Sequence, residues 1–167
     1  MRKVTREEVI KILDSANKRG ELPNLSNLDM RGLNLSGIVF YRANLQGSNL
    51  RRVNLEEANL CRANLEDVRL ERSSLWKASL WNANLSGANL WRANLERTNL
   101  EDVNFKNAHL EETLFERSNL ESAQFEGANL HKANLRRANL RRANFKDANL
   151  EYVNLEKSNL EGVIFDG

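Results

Sequence analysis

The chain has 167 residues, a formal net charge of +2 and one cysteine. That length fits one domain, the near-neutral charge gives no global attraction to polyanions, and the lone thiol of Cys61 excludes an internal disulfide and fits a reducing compartment. No apolar run is long enough for a membrane span or a signal-peptide core, so a soluble cytoplasmic protein without a membrane partner is expected.

The first predicted element is a helix over about 6–19. Thr5 with Glu8 reads as a capping box. Val9, Ile12, Leu13 and Ala16 form an apolar stripe, and Gly20 suits the helix stop. Residues 1–22 are read as this capping helix and a linker, and residues 23–167 as a separate repetitive body.

The body repeats every five residues. From Leu25 to Phe165 every position divisible by five is apolar, 29 positions in all: 22 Leu, six Phe and Met30. Two residues before it stands Ala, Ser, Thr or Val in 25 of the 29, the exceptions being Pro23, Leu28, Leu33 and Ile38 at the N-terminal end. Asn directly precedes it in 20 of the 29, and no insertion breaks the phase.

A period of five suits neither a helix nor a straight strand. On a helix five residues advance about 500°, so the leucines would share no face. In a strand an odd step sends successive leucines to opposite faces. The pattern works if the backbone turns a corner every five residues, with the central apolar residue and the small residue two before it facing inward. Short self-similar periods of this kind signal a solenoid.

The number of corners per coil also follows from the residues. Two after the central position, every twentieth residue reads Asn27, Gly47, Asp67, Gly87, Asn107, Gly127, Asp147, Gly167. All of these tolerate a left-handed backbone, so one corner of each coil is expected to carry a type II turn. Phe105, Phe125, Phe145 and Phe165 also recur every twenty. Four sides of five residues give a square β-helix of about seven coils, about 35 Å long at the inter-strand spacing of about 4.8 Å.

The tandem phrases "ANLSGANLWRANL" and "ANLRRANLRRANF" resemble the pentapeptide repeat proteins over residues 23–167. The resemblance implies an all-β solenoid, a right-handed quadrilateral β-helix. The positions that depart from the motif's Asn or Asp are Val39, Arg69, Ser74, Ser79, His109, Leu114, Gln124 and Ile164. Some relatives mimic DNA and bind a type II topoisomerase, which requires a strongly acidic face. Several dimerise through the C-terminal end. Here Val163, Ile164 and Phe165 would lie on an open last coil with no helix after them, so either a tail-to-tail homodimer or simple fraying is expected.

Signals of catalysis are thin. There is no GxGxxG, no P-loop and no H-E-x-x-H. His109 and His131 are too far out of register for a metal pair, and paired carboxylates such as Glu56-Glu57 sit on a convex wall that gives no desolvated pocket. Active sites usually need loops on a scaffold, and the unbroken phase leaves none. A non-enzymatic protein is expected, with no catalytic, cofactor or metal site.

The surface is banded in charge. Residues 94–128 hold eight acidic and three basic residues, whereas 129–146 hold six basic residues, Lys132, Arg136, Arg137, Arg141, Arg142 and Lys146, and none acidic. The basic band could follow phosphates, but acidic neighbours suggest a self-compensating solvated face, so nucleic acid is not the expected partner. The row Lys77, Arg97, Arg117, Arg137, Lys157 has acidic residues beside three of its members. Trp76, Trp81 and Trp91 follow the central residue on three consecutive sides, and Tyr41 and Cys61 share the column of Trp81. Two readings stand for these five residues: an exposed aromatic patch for a protein partner, or rings laid flat over corners to shield backbone. The expected function is a rigid protein-interaction scaffold. The alternative is a DNA mimic or nucleic-acid-related regulator.

Overall fold

The computed structural model describes residues 1–165. From Asn24 onward the chain is tied by parallel bridges between residues twenty apart, from Asn24 with Asn44 to Asn144 with Ile164. Four ladders, beginning at Asn24, Asp29, Asn34 and Val39, run side by side. Each coil therefore has four sides, as the recurrence of Phe and of turn residues requires.

One repeat shows why the motif has its composition. In 43–47 the Ala43 N–H donates to the Phe40 carbonyl (2.9 Å) and closes a turn. Asn44 donates to Pro23 of the coil before (2.8 Å), and Leu45 and Gly47 donate to Asn64 and Glu66 of the coil after (2.7 and 2.9 Å). The fifth donor, Gln46 N–H, has no backbone acceptor and is taken by Asn44 Oδ1 at 3.1 Å. Backbone donors must be satisfied, and the motif's Asn supplies the one acceptor that the coil cannot. The same bond recurs throughout the body, for instance from Trp91 to Asn89 (3.0 Å) and from Glu151 to Asn149 (3.0 Å). Asn amides also hydrogen-bond from coil to coil, as Asn104 to Asn84 and Asn139 to Asn119 (both 2.9 Å).

The expectation of one left-handed corner per coil is corrected. Every corner from Asn27 to Gly162 has positive φ, including Arg42 (+57°), Glu57 (+57°) and Lys77 (+56°). The turn bond and the ladder bonds on both sides hold these residues in a region that costs L-residues free energy, and their long side chains extend into water. Space, not handedness, sets the special column apart. A Cβ on Gly47 would lie 2.7 Å from Asn27 Oδ1, and Gly87 and Gly127 meet the side chains of Asp67 and Asn107 still more closely. An Asn or Asp side chain fills the corner of the next coil, so that coil needs Gly. Gly167 lies outside the described residues.

The lumen is filled by the central Leu and Phe residues with the small residues packed between them. Phe105, Phe125, Phe145 and Phe165 form one stack with ring centroids 5.3, 4.6 and 5.8 Å apart. Buried hydroxyls at small positions are satisfied by carbonyls, as Ser48 by Leu25 (2.6 Å) and Thr113 by Leu90 (2.9 Å).

Helix α1 (Arg6–Arg19) has Thr5 as N-cap with the full Thr5–Glu8 capping box, and ends at Gly20 with φ +68°. Val9, Leu13 and Ala16 are buried, and Ile12, Leu28, Leu33 and Ile38 pack partly buried against the core. One element was not foreseen. Strand β1 (Arg2–Lys3) pairs in parallel with β2 (Leu28–Asp29) and extends a side of the first coil. Val4, donating to the Asp29 carbonyl at 3.1 Å, is buried beneath α1. At this end both the apolar lumen and one ladder edge are covered.

The junction carries a pH-sensitive contact. Arg31 chelates Asp29 through Nε (2.9 Å) and Nη2 (2.7 Å), and these bonds hold the Asp29 carboxyl at about 2, below its ordinary value. Because the folded-state value is depressed, the contribution is complete above about pH 4 and is lost as pH falls through about 2. Urea melts at pH 4 and pH 2 should show a smaller acid loss for Asp29→Asn than for the wild type. Equal losses would remove the contact from the acid response.

Candidate functional site

The aromatic residues occupy three corners. Tyr41, Cys61 and Trp81 share one column, whereas the columns of Trp76 and Trp91 lie one and two sides away, as the twenty-residue ladder dictates. They do not form one contiguous patch. The tryptophans are half-buried. Cations cover them: Arg62 lies 4.7 Å from the Trp81 centroid, Arg72 and Arg92 lie 4.8 and 4.6 Å from Trp91, and Lys77 lies 4.1 Å from Trp76. Tyr41 remains 45% exposed.

Loss of the consensus Asn has a local consequence. Ser74 turns its hydroxyl to Glu56 (2.8 Å), and Ser79 lies 3.0 Å from Cys61 Sγ. The N–H groups of Trp76 and Trp81 thus lack the acceptor that Asn supplies elsewhere. Among the described residues no cluster of His, Cys, Asp and Glu could hold a metal ion, and no helix is long and apolar enough to cross a membrane. His109 and His131 face Glu111 (3.8 Å) and Glu151 (3.5 Å), on separate rungs.

The doubled arginines divide their work by position. Arg136, just after the central residue, spans Glu116 (3.1 Å) of the coil before and Glu156 (3.3 Å) of the coil after. Arg141 pairs with Glu121, whose carboxyl is held below its ordinary range chiefly by that hydrogen bond. Arg137 and Arg142 occupy left-handed corners (φ +58° and +59°), and Lys132 lies 6.0 Å from the Tyr152 ring. Arg136 and Arg141, two of the six cations of the basic band, are therefore bound to carboxylates of the neighbouring acidic bands. In the lengthwise row, Arg117 and Lys157 likewise meet Glu116 (3.8 Å) and Glu156 (3.3 Å).

The last described coil exposes apolar side chains. Val163 is half-buried, while Leu160, Ile164 and Phe165 are 40%, 53% and 44% exposed. Their counterparts one coil earlier, Leu140 and Phe145, are buried. A further feature escaped the sequence reading: a cavity of about 460 Å³ lined by Lys3, Asp29, Arg31, Gly32, Arg51 and Arg52. The stacked Arg31 and Arg51 were a usable signal. The place of Lys3 was not, because it depends on β1.

Comparison with known proteins accords with this geometry. Solved structures similar to the chain include HetL, a pentapeptide repeat protein involved in heterocyst differentiation regulation from the cyanobacterium Nostoc sp. strain PCC 7120. It is 28% identical, with a TM-score of 0.52 over 85% of this chain and 76% of that one. Rfr23 from the cyanobacterium Cyanothece 51142 is 24% identical over 94% and 99% of the two chains, with a TM-score of 0.35. QnrB1, a plasmid-mediated fluoroquinolone resistance protein, is 17% identical over 99% and 90%, also with a TM-score of 0.35. No curated protein sequence matches. The family model for pentapeptide repeats matches eight copies in overlapping segments from residue 24 to residue 167. With its four-sided coils and its asparagine-satisfied corners, the chain belongs to the pentapeptide repeat family, and its body is a right-handed quadrilateral β-helix.

Proposed function

We propose that this protein is a non-enzymatic, rigid scaffold that acts by presenting fixed surfaces to protein partners, with a second copy of itself as one of them. The observation that carries the reading is the unbroken register of the ladders: every side from Asn24 to Ile164 is bridged at the same twenty-residue interval, with no loop between rungs. Such a rod positions surface groups rigidly and offers no mobile loop to close over a substrate. HetL, the similar structure that carries weight here, is involved in heterocyst differentiation regulation, in keeping with a role through binding.

The last described coil supplies the self-association surface. Ile164 and Phe165 leave apolar area and ladder edge uncovered beside the stacked Phe145, and a second copy meeting it tail to tail would cover both. Sedimentation velocity from 5 to 500 µM is expected to show a monomer–dimer equilibrium that Ile164→Lys with Phe165→Lys abolishes (loading range on the order of ordinary binding constants). A monomer at every concentration would remove the self-association reading.

The alternative of a DNA mimic needs a continuous acidic face. Here Glu116, Glu121 and Glu126 are each paired with a cation from another coil, so the acidic band is interrupted by neutralised positions.

A further inference from the structure

The cavity at the N-terminal junction breaks the electrostatic pattern that holds elsewhere at the position just after the central residue. Just after the central residue, cations stacked along the rod meet carboxylates: Lys106 meets Glu126 (3.1 Å), and Arg136 meets Glu116 and Glu156. Arg31 over Arg51 is the one place among the described residues where two cations follow each other at this position. Arg52 stands beside them at a left-handed corner (φ +56°), and β1 brings Lys3 to the same cavity.

The available counter-charge is already committed. Asp29 gives both carboxylate oxygens to Arg31, and Arg51 has a loose contact with Glu71, at 3.5 Å. Among the described residues Lys3 and Arg52 have no ion pair. Four cations thus line a concave space of about 460 Å³, within the size range of small-ligand sites; its lining holds one carboxylate, Asp29, and Glu71 lies beside Arg51 outside it. Like charges held one rung apart repel, and an anion seated between them would relieve that repulsion.

We infer that this cavity binds a compact oligophosphate, the diphosphate or triphosphate group of a small molecule, through Lys3, Arg51 and Arg52, with Arg31 held in place by Asp29. Arginine forks and a lysine point charge suit phosphate oxygens. The extent of the patch favours a small anion over a nucleic-acid backbone. Beyond Arg51 the column continues as Glu71, Trp91 and Glu111, and the next corner cations, Arg72 and Arg92, lie over the Trp91 ring. The cation stack of this column therefore ends after two rungs, roughly 10 Å, too short to track a duplex strand.

The test is calorimetric titration of the full chain with inorganic triphosphate, and separately with ATP, in low-salt buffer free of phosphate. One saturable site is expected. Lys3→Gln with Arg52→Asn should weaken it by at least about tenfold, the loss of charge-assisted bonds, without changing the melting temperature of the unliganded protein. Arg137→Asn with Arg142→Asn, which removes the same charge from a distant wall, should bind as the wild type does. Equal affinity for the two ligands would mean that the phosphate chain alone is read, and tighter binding of ATP would identify a nucleotide as the source. The inference is overturned if triphosphate fails to bind, if both double variants lose affinity alike, or if a 20-base-pair duplex (about two helical turns) binds where triphosphate does not.

Discussion

Phe125→Ala is expected to lower the unfolding free energy by about 3–5 kcal/mol, the range for truncating a buried aromatic ring. Phe125 is fully buried and stacked between Phe105 (5.3 Å) and Phe145 (4.6 Å). The rungs above and below are pinned by ladder hydrogen bonds, so the lumen cannot collapse into the vacated space. Phe125→Leu should cost much less, because Leu fills the same position on most rungs. Guanidinium melts followed by circular dichroism measure both. The solenoid geometry adds a spatial expectation: each coil contacts only its neighbours, so amide exchange in Phe125→Ala should accelerate most from the affected coil to the nearby C-terminal end. A loss below about 1 kcal/mol would contradict a close-packed lumen.

Removal of residues 1–20 should have an effect of similar or greater size. Val4, Val9 and Leu13 are buried at the junction, and each such side chain contributes roughly 1.5–3 kcal/mol gross. The truncation also bares Leu28, Leu33 and Ile38 and unpairs the edge that β1 covers at Leu28 and Asp29. An uncovered ladder edge beside apolar surface invites association, so the truncated protein is expected to melt at lower denaturant and to scatter light at concentrations where the full chain does not. Leu13→Asp tests the same cover without shortening the chain, since an unpaired carboxylate beneath the helix is costly. If both variants melt like the wild type, the helix is an appendage and not a cap.

These effects differ in how far they were legible in the residues. The helix needed only local chemistry, and its bounds, capping box and Gly20 stop all follow from adjacent side chains. The twenty-residue coil was legible because stacking turns distance along the chain into distance along the rod, and Phe105, Phe125 and Phe145 recorded that period. The handedness of the corners was misjudged. Arg42 and Glu57 bear no mark of a left-handed backbone, since a ladder bond to the next coil, not their own preference, holds them there. The Asn27–Gly47 column was noticed for the wrong reason: its glycines answer a neighbour's side chain.

The candidate surfaces were less legible still. Trp76, Trp81 and Trp91 could be placed on separate sides by counting, but their covering by Arg62, Arg72, Arg92 and Lys77 depends on rotamers that no repeat specifies. In "RRANLRR" the acidic neighbours already suggest a self-compensating face, but which carboxylates Arg136 and Arg141 take, twenty residues away, is set by the stacking of coils.

The sequence by itself determined the solenoid, its four sides, its period and its helical cover, because each rests on periodic burial or on bonds between near neighbours. Only the tertiary structure decided the sign of φ at every corner, the pairing of β1 with the first coil, and the meeting of Lys3 with Arg51 and Arg52. Those depend on contacts between segments with no common repeat, where the energies of ladder bonds and stacked charges outweigh the preferences of single residues.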